Sequence, residues 1–389
     1  MQNKVYQVPY GTKDILPGEM KARRAIEDAI IRIFDKWGYD EVKTPDFEYA
    51  ATFGEEAAAG DFRFFDRDNN LLMLRSDMTA PIARLAATRL QKGERIKRLC
   101  YLANLYRYEE FQAGRQCEFE QAGVEMLGAK GPAADAEVIM LAAEALKASG
   151  LTRFAVSIGH VDFIEGLAEE AGFDAQAQVR LKDCLRRHDA VGMQNMAAAM
   201  VGIRPEIREL FADMLFLQGK EELLKRLRGV VTNSRCVKAL DDLGSIYRLL
   251  EAYGAESYLS FDLGLYRSLD YYTGMLFEIY LPQMGYPVAG GGRYDRMMEA
   301  FGLSCPATGF ALGVDRVVLA LEREGLASRL RSWDAFVAWN TGRLLEAIGK
   351  ASALRREGRS VKLATEAMEL KEAAEAAKEY CCNSLVYVD

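Results

Sequence analysis

The chain has 389 residues, half of them hydrophobic, with a formal net charge of −7. That is enough apolar content for a large buried core and one or two domains, while the acidic balance argues against non-specific binding to nucleic acid or anionic membrane surfaces. Seven cysteines are scattered without a C-x-x-C pair, there are only two histidines, and no run of eighteen apolar residues occurs. These counts argue against a zinc site, a disulfide scaffold, a His-rich metal centre and a membrane span, and they predict a cytoplasmic protein without a metal or other cofactor.

Taken in chain order, residues 19–37 have helical periodicity, with Ile26, Ile30, Ile33 and Phe34 on one side and Gly38 as the stop. "YDEVKTP" reads as a strand ended by Pro45. "FRFFDRDNNLLMLR" reads as a hairpin turning at Asp68, Asn69 and Asn70. "SDMTAPIARLAATRL" starts a helix with Ser76 or Asp77 as its cap. "IKRLCYLANLYRYEE" and "QCEFEQAGVEMLG" read as an antiparallel pair, and "PAADAEVIMLAAEALKASG" as a long helix. Residues 162 to about 255 are mostly helical, and the first of these helices shows Asp162 and Glu165 in capping-box spacing. His160, at the end of the strand "FAVSIGH", reads as a structural polar tip.

Strands return from about Tyr258. After "YRSLDYYTG", Thr273, Met275, Phe277 and Ile279 form an apolar set, while Tyr272, Gly274 and Glu278 point the other way, with Gly274 leaving room for a ligand on that face. "AGGGRYD" fits neither phosphate-loop pattern and reads as a glycine-rich strand edge beside a ligand. "GFALGVDRVVLALERE" is a strand that turns into a helix at Gly313. The last sixty or so residues alternate strand and helix as a small βαβαβ unit.

Four polar clusters fall on these strands: Arg75, Asp77 and Thr79; Arg107, Glu109, Arg115, Gln121 and Glu125; Arg267, Asp270, Tyr271 and Tyr272; Asp315 and Arg316. Each alone reads as solvated or paired charge. Together they suggest a ligand pocket, because a regular strand through "CEFEQAGVEML" puts Gln121 beside Gly123. A fixed amide and an open backbone suit a small ligand.

"GTKDILP", "TPDFE", "LYRYEEFQAGRQCEFEQAGVEMLG", "RSLDYYTG", "GGGRYD" and "GFALGVDR" resemble, in order, the catalytic domain of histidyl-tRNA synthetase, a class II aminoacyl-tRNA synthetase. The resemblance implies an α+β fold. An antiparallel sheet flanked by helices forms a histidine-binding core over residues 1–325, with the helical insertion at about 162–255, and a truncated anticodon-binding-like α/β unit covers 331–389. It implies that Asp77, Thr79 and Gln121 bind the α-amino group of histidine, that Arg267 pairs with its carboxylate, and that Glu125 and Tyr272 grip the imidazole, with Tyr271 in the same pocket. Arg107, Glu109, Arg115 and Arg316 match positions on the nucleotide side, and would be either structural or an anion site.

The departures point to one branch. "RSDMT" and "GRQCEFEQ" stand where a synthetase reads R-P-E-G-T and G-R-Y-R-E-F-H-Q. Cys117 thereby replaces an arginine and Glu120 a histidine, and an acidic Glu120 repels a triphosphate. These features resemble the synthetase's non-aminoacylating paralogue, the regulatory subunit of ATP phosphoribosyltransferase. That resemblance implies L-histidine as ligand, a short-form catalytic subunit as partner, a homodimeric core, and no charging of tRNA. The alternatives are a histidyl-tRNA synthetase with a shortened anticodon domain, and an adenylate-forming enzyme acting on another acceptor.

Overall fold

The computed structural model describes residues 4–54, 61–108, 116–267, 271–326 and 332–389. Glu109, Arg115 and Asp270 lie outside the described residues. The chain divides into two compact units, residues 4–14 with 25–326, and residues 15–24 with 332–389.

Helix α1 (Pro17–Lys36) ends before Gly38, which takes a left-handed φ of 77°. Strand β1 (Asp40–Glu41) is only two residues long, shorter than the alternation suggests. Three short strands, β2 (Phe47–Tyr49), β3 (Arg63–Phe65) and β4 (Leu71–Leu74), form a small antiparallel sheet in the order β2-β4-β3. The β3–β4 hairpin closes on Phe65 opposite Leu71, with Asn69 left-handed in its turn. Helix α2 (Thr79–Arg89) follows, and the Asp77 carboxylate accepts the Ala80 N–H at 3.1 Å. Such a bond satisfies one of the orphan donors of the first turn.

The long hairpin of β5 (Lys97–Tyr106) and β6 (Glu118–Leu127) is followed by α3 (Pro132–Ala148) and β7 (Ala155–His160). The helical insertion comprises α4 (Val161–Glu170), α5 (Ala175–Arg187), α6 (Ala190–Ala198), α7 (Pro205–Ala212), α8 (Glu221–Arg228) and α9 (Ser234–Ala252), with β8 (Gln218–Gly219) inside it. The cap of α4 is His160, whose Nδ1 accepts the Asp162 N–H at 3.2 Å, rather than an Asp162 capping box. The polar tip at the strand end thus starts the next helix.

Strands β9 (Leu259–Asp262), β10 (Met275–Tyr280), β11 (Ala289–Arg293) and β12 (Ala307–Gly313) complete a nine-stranded sheet, and α10 (Val314–Arg323) leaves β12 directly. The sheet order is β1-β5-β6-β12-β11-β10-β7-β9-β8. It is mostly antiparallel, but β1 runs parallel to β5 and β7 parallel to β9. Strand β11 lies inside the sheet between β12 and β10, so "AGGGRYD" is not a strand edge.

Period-two alternation assigns the faces. Ala122, Val124 and Met126 of β6, Phe310 and Leu312 of β12, and Met275, Phe277 and Ile279 of β10 point to the back, into a core shared with α3, α4, α9 and α10. Gln121, Gly123 and Glu125 pair in register with Gly313, Ala311 and Gly309, and Ala311 with Gly290, so all of these share the front face. Met78 and Ile82 at the start of α2 cover one end of that face, with Leu99, Tyr101 and Leu105. The rest of the front face, over Gln121, Glu125, Gly290 and Gly309, carries the site.

The C-terminal unit has a parallel sheet of β13 (Ala335–Trp339), β14 (Val361–Leu363) and β15 (Leu385–Val388) in the order β14-β13-β15, with α11 (Leu344–Arg356) and α12 (Leu370–Glu379) as crossovers. The central position of β13 follows from its composition, since Ala335, Phe336, Val337 and Ala338 are all buried.

Candidate functional site

The front face holds a narrow pocket of about 80 Å³ lined by Asp77, Thr79, Gln121, Glu125, Arg267, Tyr271 and Tyr272. Three of the four clusters of the sequence thus meet in one place, while Asp315 and Arg316 do not line it. Thr79, at the start of α2, donates from Oγ1 to Glu125 Oε1 at 3.0 Å. Tyr294 donates its hydroxyl to Glu125 Oε2. Glu125 is only 2 % exposed, and burial pushes its pKa up to about 8 against the pull of the Tyr294 and Thr79 bonds, with nearby Asp77 adding repulsion. Burial likewise raises the Asp77 carboxyl. Among the described residues, no salt bridge reaches either carboxyl.

The floor is built from strands that carry little or no side chain. A Cβ at Gly309 would fall on Glu125 Oε2, and one at Gly290 would fall on Arg267 Nη1. Both side chains lie flat on the sheet only because these positions are glycine. Arg267 Nε is 3.7 Å from Glu278 Oε1, and its guanidinium stacks over Tyr272 at 5.6 Å. Its Nη1 is buried without an acceptor among the described residues. Tyr271 packs against both Tyr272 and Tyr294, with ring centroids 4.8 and 5.8 Å apart.

A second compartment, lined by Phe119, Glu120, Asp315 and Arg316, shares Arg107, Gln121, Arg267 and Gly290 with the first. Arg107 donates Nε to the Ser76 carbonyl at 2.8 Å and lies over the Phe119 ring. Asp315 Oδ2 accepts the Glu120 N–H at 2.8 Å, and Arg316 donates Nη1 to the Pro287 carbonyl at 2.5 Å.

Some expectations from the sequence are corrected. Arg75 lines neither compartment: it is buried, ion-paired with Asp46 at 2.6 Å and bonded to the carbonyls of Thr44, Pro45 and Asn104, so it ties the small sheet to β5. Cys117 is buried against Gly11, whose carbonyl accepts its N–H at 2.7 Å, and it lines neither compartment. Gly274 does not open space for a ligand. Strand β10 begins one residue later, and the stem of Arg293 fills that side, its Cδ 3.1 Å from where a Cβ would stand. Sequence reasoning passed over Tyr101 and Tyr294, both in the pocket lining. The signal for Tyr294 was its place two residues after the glycine run, in alternation with Gly290 and Gly292.

A profile of the histidyl-tRNA synthetase family matches residues 11–317. The chain is 39 % identical over 381 residues to the ATP phosphoribosyltransferase regulatory subunit of Desulforamulus reducens, covering 97 % of this chain and 95 % of that one. It is 41 % identical to the protein of the same name from Moorella thermoacetica, covering 96 % and 95 %. The chain belongs to the family of ATP phosphoribosyltransferase regulatory subunits. Among solved structures, an ATP phosphoribosyltransferase regulatory subunit/histidyl-tRNA synthetase from Bacillus halodurans superposes with a TM-score of 0.88 at 32 % identity, covering 99 % of this chain and 98 % of that one. Histidyl-tRNA synthetase from Nostoc shares the fold, with a TM-score of 0.83 at 19 % identity over 97 % of this chain and 90 % of that one. The class II synthetase-like fold is therefore that of the regulatory-subunit family, whose name denotes control rather than catalysis.

Proposed function

We propose that the chain binds L-histidine in the front pocket and, in complex with a short-form catalytic subunit, sets the activity of ATP phosphoribosyltransferase, the first step of histidine biosynthesis. One observation carries the choice of ligand. The half-buried carboxyl of Asp77 and the buried one of Glu125 stand without a bonded cation beside an Arg267 nitrogen without an acceptor, all among the described residues. A ligand with a carboxylate and two nitrogen-bearing ends supplies what each lacks.

In this reading the histidine carboxylate meets Arg267, the α-ammonium meets Asp77, Gln121 and the free lone pair of Thr79, and the imidazole lies between Glu125 and Tyr272. Thr79 spends its proton on Glu125, so it can still accept from an ammonium. Feedback then requires only that histidine bind the inhibited and active assemblies with different affinity. Catalysis belongs to the partner.

Calorimetric titration of L-histidine into wild type, Tyr272→Phe and Glu125→Gln tests the reading. Loss of the Tyr272 hydroxyl should weaken binding about tenfold, on the order of 1.4 kcal/mol, and Glu125→Gln at least as much. With the catalytic partner added, basal activity survives in both variants and histidine inhibition moves to higher concentration. Equal binding by all three proteins, or none by wild type, overturns the assignment.

A further inference from the structure

On the back of the sheet, where β7 and β11 end and β10 begins beside α3 and α9, lies a roomier cavity of about 490 Å³. Its floor is apolar, made by Ile246, Met275, Pro132 and Pro306. Its most prominent cation is fully engaged. Arg293 spends its five N–H groups on Asp135, Asp295 and the carbonyls of Ala129 and Gly131. Other groups are not. His160 is 5 % exposed, burial holds its pKa down at about 4, and Nδ1 already accepts the Asp162 N–H. The neutral ring therefore carries its proton on Nε2. The carboxylate facing that nitrogen, Asp242 Oδ2, is 4.0 Å away, beyond hydrogen-bond range.

The ring N–H therefore opens onto the cavity with no protein acceptor within hydrogen-bond range, and a roomy cleft with an apolar floor and a few polar groups left without protein partners suits a small ligand. Lys130 at the exposed rim also lacks an acceptor among the described residues; Asp242 Oδ2 lies 3.4 Å from Lys238 Nζ, which lines the same cavity, while Asp242 Oδ1 and Asp295 Oδ2 accept no hydrogen bond among the described residues. Unspent donors and acceptors thus stand side by side over an apolar floor. The short gap between His160 and Asp242 suits adjacent carboxylate and ammonium groups joined through one carbon. Neither an anion nor a cation alone would satisfy both.

We propose that this cavity is a binding site for a free amino acid with an apolar side chain, its carboxylate held by His160 and Lys130 and its ammonium by Asp242 and Asp295. The proposal stands apart from the reading of the front pocket. L-leucine serves as the probe, titrated calorimetrically into the full chain without histidine, beside leucinamide and 4-methylpentanoate, which each lack one charge. Saturable binding of L-leucine is expected, with both analogues at least about tenfold weaker. His160→Asn keeps a side-chain acceptor for the α4 cap but withdraws the ring donor, so it should retain the melting temperature and lose about tenfold in leucine affinity. Asp242→Asn should also weaken binding, and Glu125→Gln in the front pocket should not. No saturable binding at millimolar L-leucine, equal binding of all three probes, or loss in Glu125→Gln but not in His160→Asn overturns the proposal.

Discussion

At the scale of single residues, Glu125 is the group on which the pocket turns. Its pKa of about 8 lies above the ordinary carboxyl range because burial disfavours its charge. A raised carboxyl pKa means that the folded state holds a proton the unfolded chain releases. Its contribution to stability is complete below the unfolded pKa and is lost as pH rises through about 8. Without ligand, the melting temperature of wild type should fall across that window, with a slope approaching about 1.4 kcal/mol per pH unit. Glu125→Gln should flatten the dependence, which scanning calorimetry from pH 5 to 9 would show. Tyr294→Phe deletes one of the two hydroxyls that hold the carboxylate and should raise the Glu125 pKa further. The polar identity of this site was legible in the sequence, but which members face the pocket was not. Arg75, Asp77 and Thr79 are close neighbours in sequence, yet Arg75 is committed to three carbonyls and Asp46. Arg75→Met should cost at least about 1–3 kcal/mol of stability by stranding those acceptors, with histidine affinity little changed.

At the scale of elements, the glycines of β11 and β12 determine what the front face can hold. Gly290→Ala would push the Arg267 guanidinium off the sheet, and Gly309→Ala would do the same to the Glu125 carboxylate. Gly290 has strand geometry that alanine tolerates, so Gly290→Ala should fold and lose histidine binding by more than about tenfold, whereas a Cβ at Gly309 also falls 2.4 Å from the Val124 carbonyl, so Gly309→Ala should lose stability as well. A normal melting curve with unchanged histidine affinity in Gly290→Ala would remove the floor from the account. Alternation in "CEFEQAGVEML" revealed the two faces of β6 because that strand is regular. It misled at "YYTGML", where the strand begins only at Met275 and the Arg293 stem occupies the side assigned to a ligand. The cap of α4 was hidden for a related reason, since capping-box spacing competes with a histidine one residue before the helix.

At the scale of the whole molecule, the ordered motifs made the fold legible, whereas strand order did not follow from local pattern. The parallel β1–β5 and β7–β9 pairings join segments that are distant in sequence, and no local periodicity encodes such partners. Self-association is proposed from the same level. Phe47, Tyr49, Phe64 and Phe65 on the small sheet are 40 % or more exposed, and Phe47 and Phe64 touch edge to face. Contiguous exposed aromatics mark interaction surfaces, and Phe47 and Tyr49 adjoin the segment that resembles the class II dimer motif. Sedimentation at micromolar concentration should show a homodimer, and Phe47→Asp with Phe65→Asp should release monomer. Purified protein should not charge tRNA with histidine, because Glu120 adds negative charge to the second compartment, where Asp315 and Arg316 already make internal bonds. Histidine-dependent charging above a mock preparation would favour the synthetase alternative.

The buried proton on Glu125 also alters the chemical balance of ligand uptake. Near pH 7 a free imidazole is mostly neutral, and the pocket already holds one proton of its own. An imidazolium–carboxylate pair can form by a shift along one hydrogen bond, with no exchange with the solvent. Titration heats for histidine should therefore coincide in phosphate and in Tris, whose ionisation enthalpies differ widely. Above about pH 8 the pocket proton is gone, so each bound histidine must draw one from the buffer. The two heats should then separate, and affinity should fall with each further step in pH. In the proposed role of feedback sensor, the chain would read histidine independently of the buffer up to the pH at which its internal acid ionises.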